Sequence, residues 1–144
     1  MKLNVRVLLA VALLLFQFGL AKADSVDNVF RSIEILATIG NEEVSIKKAG
    51  EITSAQFTRM SNQYNLAYDI GSKYKSRELK KKLGREFYGL WKKNVSALKD
   101  ISELYFKLEK YGGRLNNKEI NRLSSALVTL ETFRLFYVQW RRKN

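Results

Sequence analysis

The chain has no cysteine, no histidine and no proline, and each absence removes a class of explanation. Without cysteine there is no disulfide framework, thiol nucleophile or lipidated-cysteine anchor. Without histidine there is no imidazole general base, no Ser-His-Asp triad and no zinc finger. Carboxylates, lysine, tyrosine and serine are the catalytic groups left, and no catalytic, cofactor-binding or metal-ligating residue can be assigned among them. Methionine is also scarce, with two residues, so any core must be built from aliphatic and aromatic side chains. The lack of proline leaves helical periodicity uninterrupted along the whole chain.

What remains is positive charge and enough apolar content for one folded domain. The 144 residues carry 26 Lys and Arg against 14 Asp and Glu, with 46% hydrophobic residues, which argues against wholesale disorder. Lys2 and Arg6 precede ten consecutive apolar residues, Val7 to Phe16, and the stretch ends in Ala21-Lys22-Ala23 before Asp24. This order reads as a secretory signal peptide over residues 1–23, with cleavage predicted after Ala23. The apolar stretch Val7 to Ala21 is shorter than the ~20 residues a membrane-spanning helix needs. The predicted mature chain, residues 24–144, is then a single all-helical domain in a secreted or periplasmic setting. A domain of this size that meets an oxidising compartment without disulfides leans toward bacterial export.

Cleavage would remove Lys2, Arg6 and Lys22 and no acid, leaving 23 basic against 14 acidic residues, a net +9. That charge is unevenly placed. Asp24 to Ser72 carries a net −3, Lys73 to Lys93 a net +7 and Asn94 to Asn144 a net +5.

Apolar spacing marks the helices. Val26, Val29, Phe30, Ile33, Leu36 and Ala37 follow one helical face, with Asp24 or Ser25 as cap and Gly40 as expected stop. From Glu43 to Thr53 the pattern changes, and a small hairpin with Gly50 at positive φ, a loop and a helical turn all fit. Thr53 with Gln56 forms a capping box ahead of the stripe Phe57, Met60, Tyr64, Ala67 and Tyr68. Residues 76–111 keep a helical period for more than thirty positions, as one spine or with a bend near Gly89 to Asn94. After Gly112-Gly113, Asn116 and Glu119 cap a last helix marked by Ile120, Leu123, Leu127 and Leu130. The expected architecture is an all-α bundle of four to five helices with one long central helix.

Two clusters carry the functional candidates. Lys73, Lys75, Arg77, Lys80, Lys81, Lys82, Arg85, Lys92 and Lys93 form a cationic segment suited to phosphate or sulfate groups, or else a solvated face supported by a Glu78-Lys82 pair. Phe133, Phe136, Tyr137 and Trp140, with Arg141 and Arg142, form an aromatic and basic terminus that either buries in the bundle or meets a partner. The aromatics Tyr64, Tyr68, Tyr74, Phe87, Tyr88, Trp91, Tyr105, Phe106 and Tyr111 fit a core or a ligand groove.

Carboxylates offer little chemistry. Glu78 and Glu86 are eight residues apart, about 12 Å along one helix, and Asp100 with Glu103 lacks the further oxygen ligands that a hard cation requires. Glu42-Glu43 and Ser124-Ser125 stand without catalytic companions, and Asn94-Val95-Ser96 is formally a glycosylation sequon. In gross organisation the chain resembles cysteine-free helical proteins exported to the bacterial periplasm as accessory parts of conjugation or secretion machines. That resemblance implies a protein partner and assigns no residue a role. The sequence therefore predicts a non-enzymatic interaction protein, binding through its C-terminal helix and steered by Lys73 to Lys93. The alternative is a basic effector acting on an anionic membrane surface or polyanion. Nucleic acid is not an expected partner, and no cofactor is expected.

Overall fold

Helix α1 (Ser25–Ala49) starts where the Asp24 carboxylate accepts a hydrogen bond from the Val26 amide, and ends at Gly50, whose φ of 81° supplies the left-handed cap. In this computed structural model, which describes residues 24–111 and 114–144, all regular elements among the described residues are α-helices. The expected signal peptide and the Gly112-Gly113 break lie outside the described residues.

Gly40 does not stop α1, and the segment from Glu43 onward forms neither hairpin nor loop until Gly50. The reason is tertiary. A helix-interior glycine costs about 1 kcal/mol, whereas continuing the helix past Gly40 packs Ile46 against the core. It also lets Glu42 pair with Arg59 and Glu43 accept a hydrogen bond from Tyr64.

Helix α2 (Ser54–Gly71) opens with the expected capping box: Thr53 Oγ1 accepts from the Gln56 amide and Gln56 Oε1 accepts from the Thr53 amide. The long periodic stretch divides at Gly84 rather than near Gly89 to Asn94, giving α3 (Ser76–Leu83) and α4 (Arg85–Tyr111). Gly84 has a φ of 92°, which a side chain with a Cβ rarely adopts. Helix α5 (Asn117–Lys143) carries the second expected capping box, between Asn116 and Glu119. Helices α4 and α5 have 27 residues each, roughly 40 Å apiece.

The four longer helices run up, down, up and down, each antiparallel to the next, with α3 closing one end. Contacts fix this order: Ser32 with Ala67 joins α1 to α2, Trp91 with Gly71 joins α2 to α4, and Trp91 with Phe133 joins α4 to α5. Helix α4 is central. Its stripe Phe87, Trp91, Asn94, Leu98, Ile101 and Leu104 is fully or almost fully buried, with three-and-four spacing throughout.

The core has two parts. At the α3 end, Val29, Ile33, Leu79, Phe87, Trp91 and Phe133 pack together, and toward the other end lie Ile39, Met60, Tyr64, Ala67, Leu98, Ile101 and Ala126. Asn94 is fully buried on the α4 stripe between residues of the two parts, and among the described residues neither side-chain amide atom has a hydrogen-bond partner. Its burial within a helix removes the formal sequon from the surface.

Candidate functional site

The cationic segment divides according to what its neighbours need. Ser25 Oγ donates to Glu78 at 2.9 Å and accepts from the Lys75 amide at 2.9 Å, pinning the start of α3 to α1. Lys82 turns toward that junction and pairs with Asp24 and with Glu78, the latter at 3.2 Å as the expected i,i+4 pair. Asp24, flanked by the Glu78 carboxyl and the Lys82 ammonium, is held down to about 2. Lys82 is thus a structural cation and leaves the candidate binding set.

The other eight cations of the segment are exposed, and among the described residues none forms an ion pair. Part of this set converges. The Lys80 ammonium lies 4.6 Å from the centre of the Tyr88 ring, and the Tyr88 hydroxyl donates to Ser76 Oγ at 3.2 Å. That hydrogen bond, with the charges of Lys92 and Lys80, lowers the Tyr88 phenol below its ordinary value. Side chains from α3 and α4 therefore meet at one positively charged surface, with Leu79 and Phe87 buried behind it.

The C-terminal aromatics face inward. Phe133 is buried, and Phe136, Tyr137 and Trp140 are half-buried against the same part of the core. Phe87 is the hub: its ring centre lies 4.9 Å from that of Trp140, 5.7 Å from Phe133 and 6.0 Å from Phe136, mostly edge to face. Such pairs add about 0.5–1.5 kcal/mol each beyond simple burial. Of the six terminal candidates only Arg141 and Arg142 are exposed. Because Trp140 packs on Phe87, these two arginines emerge at the same end of the bundle as Arg85. Two basic clusters some fifty residues apart in sequence thus form one cationic pole.

Helix α5 has a second apolar face directed away from α4. Ile120, Leu127, Val128, Leu135 and Val138 are 47%, 36%, 66%, 53% and 40% exposed. Beside this face the bundle is open. Helices α1 and α5 meet through side chains, with Phe30 6.4 Å from both Tyr137 and Trp140, and between them runs a groove of about 670 Å³. Its walls include Leu36, Gly40 and Val44 of α1 and Leu130, Arg134 and Val138 of α5.

Of the carboxylates considered for catalysis, Glu42, Glu43, Glu78, Asp100 and Glu103 are held in structural contacts, whereas Glu86 is exposed. Arg122 bridges Asp100 at 2.6 Å and also pairs with Glu103, tying α5 to α4. Glu43 accepts from the Tyr64 hydroxyl at 2.7 Å, and burial together with that carboxylate pushes the Tyr64 phenol well up. Among the described residues no group of three or more Asp or Glu gathers as a cation site, and no helix is long and apolar enough to cross a membrane. Tyr64, Phe87, Trp91 and Tyr105 are core or near-core residues, whereas Phe106 is 55% exposed. Ser25, read from the sequence only as a possible cap, instead bonds α3, and Ser32 and Arg122 carry tertiary contacts that spacing does not mark. A serine or arginine on a helix carries no periodic signal of what it will bond.

Fold and surface together define an all-α, antiparallel four-helix bundle with a cationic pole. No protein-family model, curated protein or solved structure matches the chain.

Proposed function

We propose that the protein is an exported, non-enzymatic helical interaction protein whose cationic pole docks on an anionic envelope surface. The observation that carries this reading is the unequal use of acids. Carboxylates neutralise Arg59, Lys82, Lys107, Arg122 and Arg134, yet among the described residues the other eight cations from Lys73 to Lys93 pair with no carboxylate, and Lys80 rests instead on the Tyr88 ring. A fold using positive charge only for solubility gains nothing from concentrating it at one end, while a phosphate-bearing surface is attracted in proportion to that concentration. The non-enzymatic reading is supported by the structural contacts of Asp100, Glu103, Glu42 and Glu43. An accessory role in an envelope, conjugation or secretion apparatus is compatible with this docking, which would hold the bundle at a membrane beside a protein partner.

The test is co-sedimentation with vesicles of phosphatidylglycerol or of phosphatidylcholine over a salt series. Binding is expected to the anionic vesicles and to weaken steeply with salt. The triple variant Lys80→Glu, Lys81→Glu, Lys92→Glu should bind at least ~100-fold more weakly, from about 1 kcal/mol per surface cation. Equal binding to both vesicle types, or an unaffected triple variant, would overturn the proposal.

A further inference from the structure

The outer edge of α5, beside the open seam, is complementary to its own reverse. Leu127, Glu131, Arg134 and Val138 follow one another at spacings of four, three and four, which puts them on one side of the helix. Their order is apolar, acidic, basic, apolar. All four are accessible: Leu127 and Val138 are 36% and 40% exposed, and the Glu131 and Arg134 side chains are 55% and 62% exposed. An antiparallel copy of this edge, related by a two-fold axis midway between Glu131 and Arg134, sets Leu127 against Val138 of the other copy. The same operation sets Glu131 against the other copy's Arg134, twice. A two-fold interface must be complementary to itself, and this edge is so in both apolarity and charge.

We infer that the protein forms a two-fold homodimer in which the α5 helices pair antiparallel over the open seams between α1 and α5. The seam supplies the second half of the surface. Leu130, Arg134 and Val138 line the groove from the α5 side, and Leu36, Gly40 and Val44 line it from α1. Gly40 gains significance here. A Cβ at Gly40 would meet nothing within 4 Å in the isolated chain, so the fold of one copy does not require glycine there. A helix laid into the groove does benefit, because a missing side chain lets two backbones approach closely. Within one copy Glu131 and Arg134 pair with each other at 2.5 Å, an exposed contact of little strength that can be exchanged for two cross-copy pairs. Along the edge the two charges cancel, so the strongly basic character of the chain does not oppose association at this place.

The experiment is sedimentation equilibrium of the purified protein over a concentration series. The dimer mass is expected, dissociating on dilution. Glu131→Arg alone, or Arg134→Glu alone, places like charges opposite each other at two symmetric positions and should weaken the dimer roughly tenfold or more. The double variant Glu131→Arg, Arg134→Glu restores opposite charges across the axis and should recover the wild-type association. Circular dichroism serves as the control for folding, since both side chains are exposed. A wild-type monomer at all concentrations would overturn the inference. So would a dimer whose association ignores the single reversals, or a double variant no better than the singles.

Discussion

Replacing Gly71 with alanine tests the joint that holds three helices together. Gly71 is the last residue of α2 and is buried. A Cβ added there would lie 2.6 Å from Ser32 Oγ, 2.9 Å from Ser32 Cβ and 2.8 Å from Trp91 Cζ2. Both neighbours are fully buried and committed: Ser32 Oγ donates to the Ala67 carbonyl at 2.7 Å, and Trp91 Nε1 donates to the carbonyl of Gly71 itself at 3.1 Å. In an open helix the change would stabilise by about 0.5–1 kcal/mol. Here overpacking opposes it by about 1–3 kcal/mol, and yielding stretches two hydrogen bonds worth about 1 kcal/mol each. The net expectation is a loss of about 2 kcal/mol, read as a fall of roughly 6–12 °C in Tm for a domain of this size, with a lower urea midpoint at unchanged slope. Adding Ser32→Gly relieves two of the three short contacts, so the double variant should lose less than the two single losses added together. A Gly71→Ala protein as stable as wild type, or strictly additive losses, would refute the close-packed joint.

Two further outcomes follow from buried and capping groups. Asn94→Leu keeps the branched shape and heavy-atom count of a fully buried side chain whose amide has no partner among the described residues, and should raise the unfolding free energy by about 1–3 kcal/mol; a lowered urea midpoint would count against an unsatisfied amide there. Asp24 titrates at about 2 in the folded chain against an ordinary 3.8. Its folded value is depressed, so its stabilising contribution is complete above the unfolded value and disappears as pH falls from about 4 toward 2. The stability difference between wild type and Asp24→Asn should therefore shrink across that window. A difference that stays constant from pH 6 to pH 2 would remove Asp24 from the α1 junction.

The helices were legible where the sequence carries caps as well as period. Thr53 with Gln56 and Asn116 with Glu119 mark the starts of α2 and α5, and both boxes form as expected. Glycine was the less dependable signal, because its effect depends on what surrounds it. Gly40 lies within a helix whose continuation packs Ile46 against the core and brings Glu42 and Glu43 to Arg59 and Tyr64, so tertiary contacts outweigh propensity. Gly84 sits between two segments that must diverge so that α3 can reach Ser25, and there the backbone takes the conformation glycine permits. Burial of the α4 stripe was legible from spacing alone, except at Asn94, where a polar residue occupies a core position. The cationic segment was visible in composition, but the removal of Lys82 from it was not. That depends on Asp24, 58 residues away, being brought alongside.

Helix α5 shows most clearly what periodicity leaves open. Two sets of its residues have helical spacing: Leu123, Ala126, Leu130, Phe133, Tyr137 and Trp140 on one side, and Ile120, Leu127, Glu131, Leu135 and Val138 on the other. Spacing makes both sides equally good candidates for the core. Side-chain volume decides between them. The α4 surface at the α3 end presents Phe87 and Trp91, both fully buried, and rings in edge-to-face contact fill the space between those side chains better than Val and Leu can. The aromatic side therefore turns inward, and the aliphatic side with its Glu131 and Arg134 is left outside. A residue set chosen only to be solvated would not need Leu127, Val128, Leu135 and Val138, four exposed apolar side chains on one helix. Their exposure is the consequence of a helix with two apolar faces in a bundle that covers one, and it makes the outer edge of α5 the place where a second molecule gains most by packing.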